Sequence, residues 1–361
     1  MAKGEILLDI PPKANNPRNS EGAFISLADG GLMFMYSEFH GEDGADYADA
    51  DIVKIVSHDN GNTWTAPETV VFAKEHGAMN VMSLSLLRMD NGDIGLFYLV
   101  RLDWVDMRVV LRRSPDEGKS WSDAKYCIQR KAYYVINNDR AVRLSDGRII
   151  LPTAEHPMTV NDDGEVIRYG PAIGSFFYSD DDGNTWSEAD MCVSLNIPHA
   201  YGGFQEPGII EYKNGTLGCF ARTSLGCHYI SYSHDSGRNW SAPVPTRFTA
   251  PLSPLSMKRL SNGKLFAVWN PIPTYPTRLF NPATNGRFPL VYSLSSNDGE
   301  SWSYPYVLET DEDAGYCYTA IYERDGFIFL SYCAGNARTD NGCLSRTRIR
   351  RIRVDELEKR E

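Results

Sequence analysis

Short apolar runs recur along this chain, many of them joined in pairs by two polar turn residues. The joints are Asp29-Gly30, Asn91-Gly92, Asp146-Gly147, Asn214-Gly215, Asn262-Gly263 and Asp325-Gly326. Stretches such as AFISLADGGLMFMYS, GIIEYKNGTLGCFAR and AIYERDGFIFLSYC show the form. Asn-Gly and Asp-Gly between β-rich flanks are hairpin signals, because both turn residues need φ > 0. A second series is interleaved with the first: the octapeptide S-x-[DN]-x-G-x-[STN]-W begins at Ser57, Ser114, Ser179, Ser233 and Ser295. Successive copies start 57, 65, 54 and 62 residues apart. A near-constant period is the mark of a repeat architecture. Each hairpin but the last is followed by one octapeptide. The unit is therefore strand, Asp-Gly or Asn-Gly turn, strand, connection, strand, octapeptide, strand. Six such units predict an all-β chain folded as a six-bladed β-propeller of four-stranded antiparallel blades, with residues 1–361 forming a single domain. The sixth unit lacks the octapeptide and ends in TRIRRIRV. The early segment GEILLDI is expected to add its outer strand and close the ring, leaving 352–361 as a short tail.

Composition narrows the classes. Aromatics make up 12 % of the residues, and 30 Gly and 20 Pro suit many short strands with tight turns. A formal net charge of −11 argues against nucleic acid or an anionic membrane as partner. The N-terminal MAKGEILLDIPPKANN shows no apolar leader core, and no apolar run approaches membrane-spanning length. Seven Cys at irregular spacing, without a CxxC pair, read as reduced thiols. These features predict a cytoplasmic protein, or a secreted one if a leader has been trimmed. No His, Cys and carboxylate set has metal-ligand spacing, and no GxSxG or phosphate loop is present, so no metal or cofactor is expected. The octapeptides themselves read as structural turns built on Asx and Gly chemistry.

Connectivity places the site. In an up-and-down blade the Asp-Gly turns and the octapeptides share one face. The start of strand 1 and the end of strand 2 of every unit then share the opposite face, around the central channel. Polar residues collect at those positions. They include Arg18 and Glu21, Asn138 and Arg140, His156, Glu206 and Arg222, Arg287, and Tyr316 with Tyr318. Arginines, carboxylates and a tyrosine converging on one opening make a pocket for a small polar anion.

These residues and the octapeptides together resemble the sialidase (neuraminidase) superfamily, whose Asp-boxes follow the same pattern, over essentially the whole chain. QEPGIIEYKNGTLGCFAR resembles the family segment that carries a Glu before one strand and an Arg after the next, which implies roles for Glu206 and Arg222. GRFPLVYSLSSNDGESW offers Arg287 as a further arginine, with Arg278 as a rival in the same loop. AGYCYTAIYERDG offers Tyr316 as the nucleophile, with Tyr318 as second candidate. Two positions depart from the family. Its R-I-P at the first strand is replaced by NPRNSEGAFISL, so Arg18 is carried over from two residues before the expected place, and Glu21 has no counterpart. The acid/base carboxylate falls in a loop holding Asp43, Asp46, Asp49 and Asp51, and the distance to the following strand selects Asp46.

The resemblance implies an exo-α-sialidase: retaining hydrolysis of terminal sialic acid from a sialylated glycan through a tyrosyl intermediate. Arginine forks suit the sugar's carboxylate. A tyrosine nucleophile avoids setting a second carboxylate against that group. Glu206 would draw the tyrosine's proton. Asp46, with a raised pKa, would protonate the leaving oxygen. Asn138, Arg140 and His156 would shape the pocket. Three alternatives stand beside this reading. One is a glycosidase or lyase for another acidic sugar, such as a 2-keto-3-deoxy sugar acid or a uronate. Another is a non-catalytic glycan-binding module. The third is transfer to a sugar acceptor by the same residues.

Overall fold

The computed structural model describes residues 3–198, 200–272 and 284–359; Arg278 lies outside them. The chain is all-β and built mainly of four-stranded antiparallel sheets. The first unit comprises Arg18–Ser26, Leu32–Phe39, Ala50–Ser57 and Glu68–Val71. The fourth comprises Gln205–Glu211, Leu217–Arg222, Cys227–Ser233 and Val244–Thr249. The fifth comprises Ser256–Arg259, Leu265–Trp269, Leu290–Ser295 and Tyr306–Glu309. The sixth pairs Cys317–Arg324, Phe327–Cys333 and Thr347–Arg353, and its fourth strand is the N-terminal Glu5–Ile10.

Units two and three are fused into one nine-stranded sheet. The reason is local. Tyr133–Val135 pairs antiparallel with Ile149–His156 in unit three and makes a parallel bridge, Tyr133 to Met107, with the third strand of unit two.

Burial explains why the strands carry apolar residues at consecutive positions. Successive side chains of a strand point to opposite faces. Along Leu32–Phe39, Met33 and Met35 enter a core shared with unit two, whereas Leu32, Phe34 and Tyr36 enter a core shared with unit six. Among the described residues six such cores separate consecutive units, one of which joins unit six to unit one through Phe24, Phe34, Ala320, Phe329 and Ile349. The first strand of unit one lies against the first strands of units two and six.

The octapeptides join the third and fourth strands of units one to five. Their chemistry is internal to the turn. In the first copy Asp59 accepts from the Thr63 N–H at 2.8 Å, Ser57 Oγ accepts from the Gly61 N–H at 2.7 Å, and the Trp64 indole donates to the Gly61 carbonyl at 2.9 Å. Gly61 has φ 89°, a conformation that excludes most side chains. Among the described residues no helix is long and apolar enough to cross a membrane, and no cluster of His, Cys, Asp and Glu has metal-binding geometry.

Candidate active site

The innermost strands are not regular. Their ladders shift register between Ser20 and Ala23, Met82 and Ser85, Gln205 and Gly208, and Cys317 and Ala320. At each shift one non-glycine residue has left-handed backbone: Glu21 (φ 61°), Ser83 (φ 54°), Glu206 (φ 45°) and Tyr318 (φ 57°). Asp139 (φ 58°) holds the corresponding place before the short first strand of unit three, Val142–Arg143. A bulge re-aims a side chain, and left-handed backbone at a non-glycine residue costs on the order of 1 kcal/mol or more, held only where the surroundings dictate it. These bulges bring Glu21, Ser83, Glu206 and Tyr318 into one polar cluster.

Tyr318 sits at its centre. Its hydroxyl donates to Glu206 Oε1 at 3.2 Å, and the same oxygen accepts from Arg222 Nη1 at 2.7 Å. Glu206 Oε2 is buried and has no partner within the protein. The Arg287 guanidinium carbon lies 5.5 Å from the Tyr318 ring centre. Arg287 is held by weak acceptors, the Cys317 thiol at 3.1 Å, the Cys343 thiol at 3.8 Å and the Leu252 carbonyl. Burial pushes the Tyr318 phenol well above its ordinary value, and Glu206 adds to this, while Arg287 and Arg222 act in the opposite direction. The phenol is therefore protonated at neutral pH and needs a base. Glu206 is already in hydrogen-bond contact with that proton.

Tyr316 is elsewhere. It is buried in the core between units five and six, with its ring 6.2 Å from that of Tyr332 in a T-shaped contact. The structure sets Tyr318, the second candidate, against Glu206 and places Tyr316 in a core, and the difference comes from a bulge. The two residues would share a face on a regular strand, but the bulge at Tyr318 breaks the alternation and turns its side chain toward Glu206. A count from the hairpin turn carries this signal. Glu21, Ser83 and Glu206 each lie eight residues before the Asp or Asn of their turn, and Asp139 and Tyr318 lie seven before theirs. Tyr316, nine before its turn, falls outside that range.

The opposite side of the cluster is built around Arg18. Its Nε donates to Ser20 Oγ at 2.8 Å, Nη1 to Asp46 Oδ1 at 2.6 Å and to the Gly44 carbonyl at 3.2 Å, and Nη2 to Glu21 Oε1 at 3.0 Å. Its guanidinium also lies 4.2 Å from the centre of the Phe39 ring. Arg18, two residues before the place that the resemblance gives an arginine, is thus held between Asp46 and Glu21. Asp46 is fixed from behind, since its backbone carbonyl accepts from Asn80 Nδ2 at 2.8 Å and Arg101 Nη1 at 2.6 Å. Arg101, at the end of the second strand of unit two, is drawn to the site by this contact across units.

The expectation of a raised pKa at Asp46 is also corrected. Desolvation pushes its carboxyl up, but Arg18 outweighs this by charge and hydrogen bond, with help from Arg101 and Arg287, and holds it below the ordinary range. The side chain remains 66 % exposed, consistent with a charged carboxylate at the pocket mouth.

The remaining residues line or brace the site. Asn138 Nδ2 donates to the carbonyls of Gly22 at 2.7 Å and Tyr318 at 3.1 Å, tying two of the bulges together. Asp139 accepts from Lys258 Nζ and from the Ile321 N–H. Arg140 donates to the Leu255 carbonyl at 2.6 Å and packs against Phe220; burial lowers its pKa to about 10. Its charge also has Asp139 and Glu206 in reach. His156 is edge-on to Tyr133, and its pKa is lowered to about 4, first by burial and then by Arg168, so it is neutral near pH 7.

Comparison with known proteins gives the family and the fold. Residues 29–330 match the family described as BNR repeat-like domain. A curated relative, the anhydrosialidase of Macrobdella decora, is 27 % identical over 250 residues; the match covers 62 % of this chain and 29 % of the relative's length. Among solved structures, the intramolecular trans-sialidase of Ruminococcus gnavus superposes with a TM-score of 0.71 at 16 % identity, covering 100 % of both chains. The NanB sialidase of Streptococcus pneumoniae superposes with a TM-score of 0.71 at 13 % identity, over 98 % of this chain and 71 % of that one. These matches, with the five Asp-box turns, place the chain in the BNR repeat-like domain family, with the fold of the sialidase superfamily.

Proposed function

We propose that this protein is a retaining exo-glycosidase of the sialidase type, acting on a terminal acidic sugar, and that its six units close into a six-bladed propeller with the site at one mouth of the channel. The observation that carries the reading is the Tyr318 hydroxyl on Glu206, flanked by Arg222 and Arg287.

In this mechanism Arg222, Arg287 and Arg18 receive the sugar carboxylate. Tyr318 passes its proton to Glu206 as its oxygen bonds to the anomeric carbon. The bond from that carbon to the leaving oxygen breaks, and Asp46 gives the leaving oxygen its proton. In the second step Asp46 takes a proton from water, the water oxygen bonds to the anomeric carbon, and Tyr318 leaves and recovers its proton from Glu206. Asp46 is held ionised by Arg18 in the free protein. The proton that Asp46 gives is taken up from solvent only when a leaving oxygen stands against it, so a ligand without a leaving group leaves Asp46 ionised.

A second reading follows from the similarity to the anhydrosialidase of Macrobdella decora. In intramolecular transfer, a hydroxyl of the bound sugar takes the part of water and an anhydro-sugar leaves. The test is turnover of a fluorogenic α-sialoside by wild type and Tyr318→Phe, with the products identified by NMR. Fast turnover lost in the variant supports the assignment, and free against anhydro-sugar separates the two readings. No turnover by wild type removes sialosides, and the same assay on uronides and shorter 2-keto sugar acids then decides among acidic sugars.

A further inference from the structure

Arg18 is nearly closed to ligands. Of its five N–H groups, four donate to Ser20 Oγ, the Gly44 carbonyl, Asp46 and Glu21. A carboxylate brought to this guanidinium would meet two carboxylates already there. Three such groups around one cation cannot all stay ionised.

We propose that Glu21 gates Arg18: an acidic ligand docks on Arg18 only as Glu21 lets go of the guanidinium and takes up one proton. The proposal rests on the sialidase-type reading above, and it deepens it by assigning a residue that the family pattern leaves without a role.

Geometry selects Glu21 over Asp46 as the group that yields. Glu21 is 5 % exposed, whereas the Asp46 side chain is 66 % exposed and has Arg101 and Arg287 in electrostatic reach. The groups that face Glu21 are Arg18 on its own strand, Asp46 from the loop after the next strand, Ser83 from unit two and Glu206 from unit four. Arg18 is the single cation among them. The other contact, Ser83 Oγ at 2.7 Å from Oε2, serves both states of the acid. A hydroxyl donates to the carboxylate and accepts from the protonated form. Burial and the two neighbouring carboxylates push the Glu21 carboxyl up, against Arg18 and Ser83, to about 7, so little is needed to protonate it near neutrality. The left-handed backbone at Glu21 holds the carboxyl at this spot, as the same conformation holds Glu206 and Tyr318 at theirs.

The linkage has a definite sign. If docking adds one proton to Glu21, affinity for an acidic ligand is pH-independent well below the Glu21 pKa and falls tenfold per pH unit above it. The experiment is calorimetric binding of 2,3-didehydro-2-deoxy-N-acetylneuraminic acid at pH 8, in buffers of different ionisation enthalpy, to wild type, Glu21→Gln and Asp46→Asn. Wild type and Asp46→Asn are expected to take up close to one proton per ligand bound, and Glu21→Gln close to none. Uptake that persists in Glu21→Gln and disappears in Asp46→Asn assigns the proton to Asp46 and overturns the proposal. Should Glu21→Gln not fold, wild type alone decides, because an affinity flat from pH 6 to 9 overturns the gate. Binding by no variant at any pH removes this sugar acid as the ligand, and with it the sialic-acid form of the reading on which the gate rests.

Discussion

The two sides of the site are built on opposite plans. On one side, Glu206 Oε2 has no protein partner, Arg222 Nε is likewise unpaired, and Arg287 leans on thiols and a carbonyl, which are weak acceptors beside a carboxylate. That side is prepared for a ligand at no cost in protein contacts. On the other side, Arg18 spends its hydrogen bonds on Ser20, Gly44, Asp46 and Glu21, and the acid is charged when it should be neutral for catalysis. That side must be rearranged by the ligand. The contrast shows that a shared set of residue types does not make a shared resting state. The open side is preorganised for charge stabilisation, while the closed side couples binding to proton movement.

The largest expected effect tests the open side. Tyr318→Phe keeps the ring beneath Arg287 but removes the nucleophile, and kcat is expected to fall on the order of 10³-fold or more. Tyr316→Phe, in the core between units five and six, is expected to leave kcat near wild type and to cost about 1 kcal/mol in a denaturant melt. Reversal of the two results would break the comparison, since it would move the chemistry into the core.

Next comes the acid on the closed side. Asp46→Asn removes general acid catalysis, so kcat on a natural glycoside is expected to drop roughly 10²- to 10⁴-fold. The loss should be much smaller with an aryl glycoside whose leaving group needs no proton. Equal loss on both substrates would mean that Asp46 serves mainly to hold Arg18.

The arginines sharpen the difference in plan. Arg287→Ala deletes a group whose protein acceptors are weak, and the expected result is a rise in KM of roughly 30- to 150-fold from about 2–3 kcal/mol of lost charge-assisted bonding. Stability should change little. Arg18→Ala strands the buried Glu21, so its larger signature is expected in folding, at about 3–5 kcal/mol in denaturant. Like costs in folding for both variants would erase the distinction.

How much of this was legible in the sequence follows from the range of the contacts. The hairpin turns and Asp-boxes are local, and they fix strand order, the sharing of the last sheet with Glu5–Ile10, and the placement of Glu206 and Arg222 at adjoining ends of one hairpin. Arg18, Asp46 and Arg287 come from the resemblance, and the structure brings Arg18 against Asp46 and Arg287 against the Tyr318 ring. The resemblance points to Tyr316 as the residue that opens the first strand of unit six, whereas the bulge between Cys317 and Ala320 sets Tyr318 against Glu206, a departure that the count from Asp325 betrays. The resting charge of Asp46 was beyond reach. It depends on Arg18, Arg101 and Arg287, contributed by three different units, and no local pattern reports such a meeting. The fusion of units two and three has the same origin, in the tertiary pairing of Tyr133 with Met107.

The smallest expected effect falls on the residue that joins the two sides. Asn138 Nδ2 bridges the carbonyls of Gly22 and Tyr318, which follow or belong to the bulges at Glu21 and Tyr318. Asn138→Ala removes one donor shared by two buried carbonyls, for a cost of about 1–3 kcal/mol in stability. If the amide only props up the channel, the loss ends there. If it keeps the gate and the nucleophile in register, kcat falls as well, by about tenfold, since a small displacement at the reacting atoms is felt in rate. A double-mutant cycle of Asn138→Ala with Glu21→Gln separates these cases. Distant, independent sites add within about 0.3–0.5 kcal/mol, whereas groups acting through one contact do not. Non-additivity in kcat, with additivity in stability, would show that the open and closed sides of the site communicate through this single side chain.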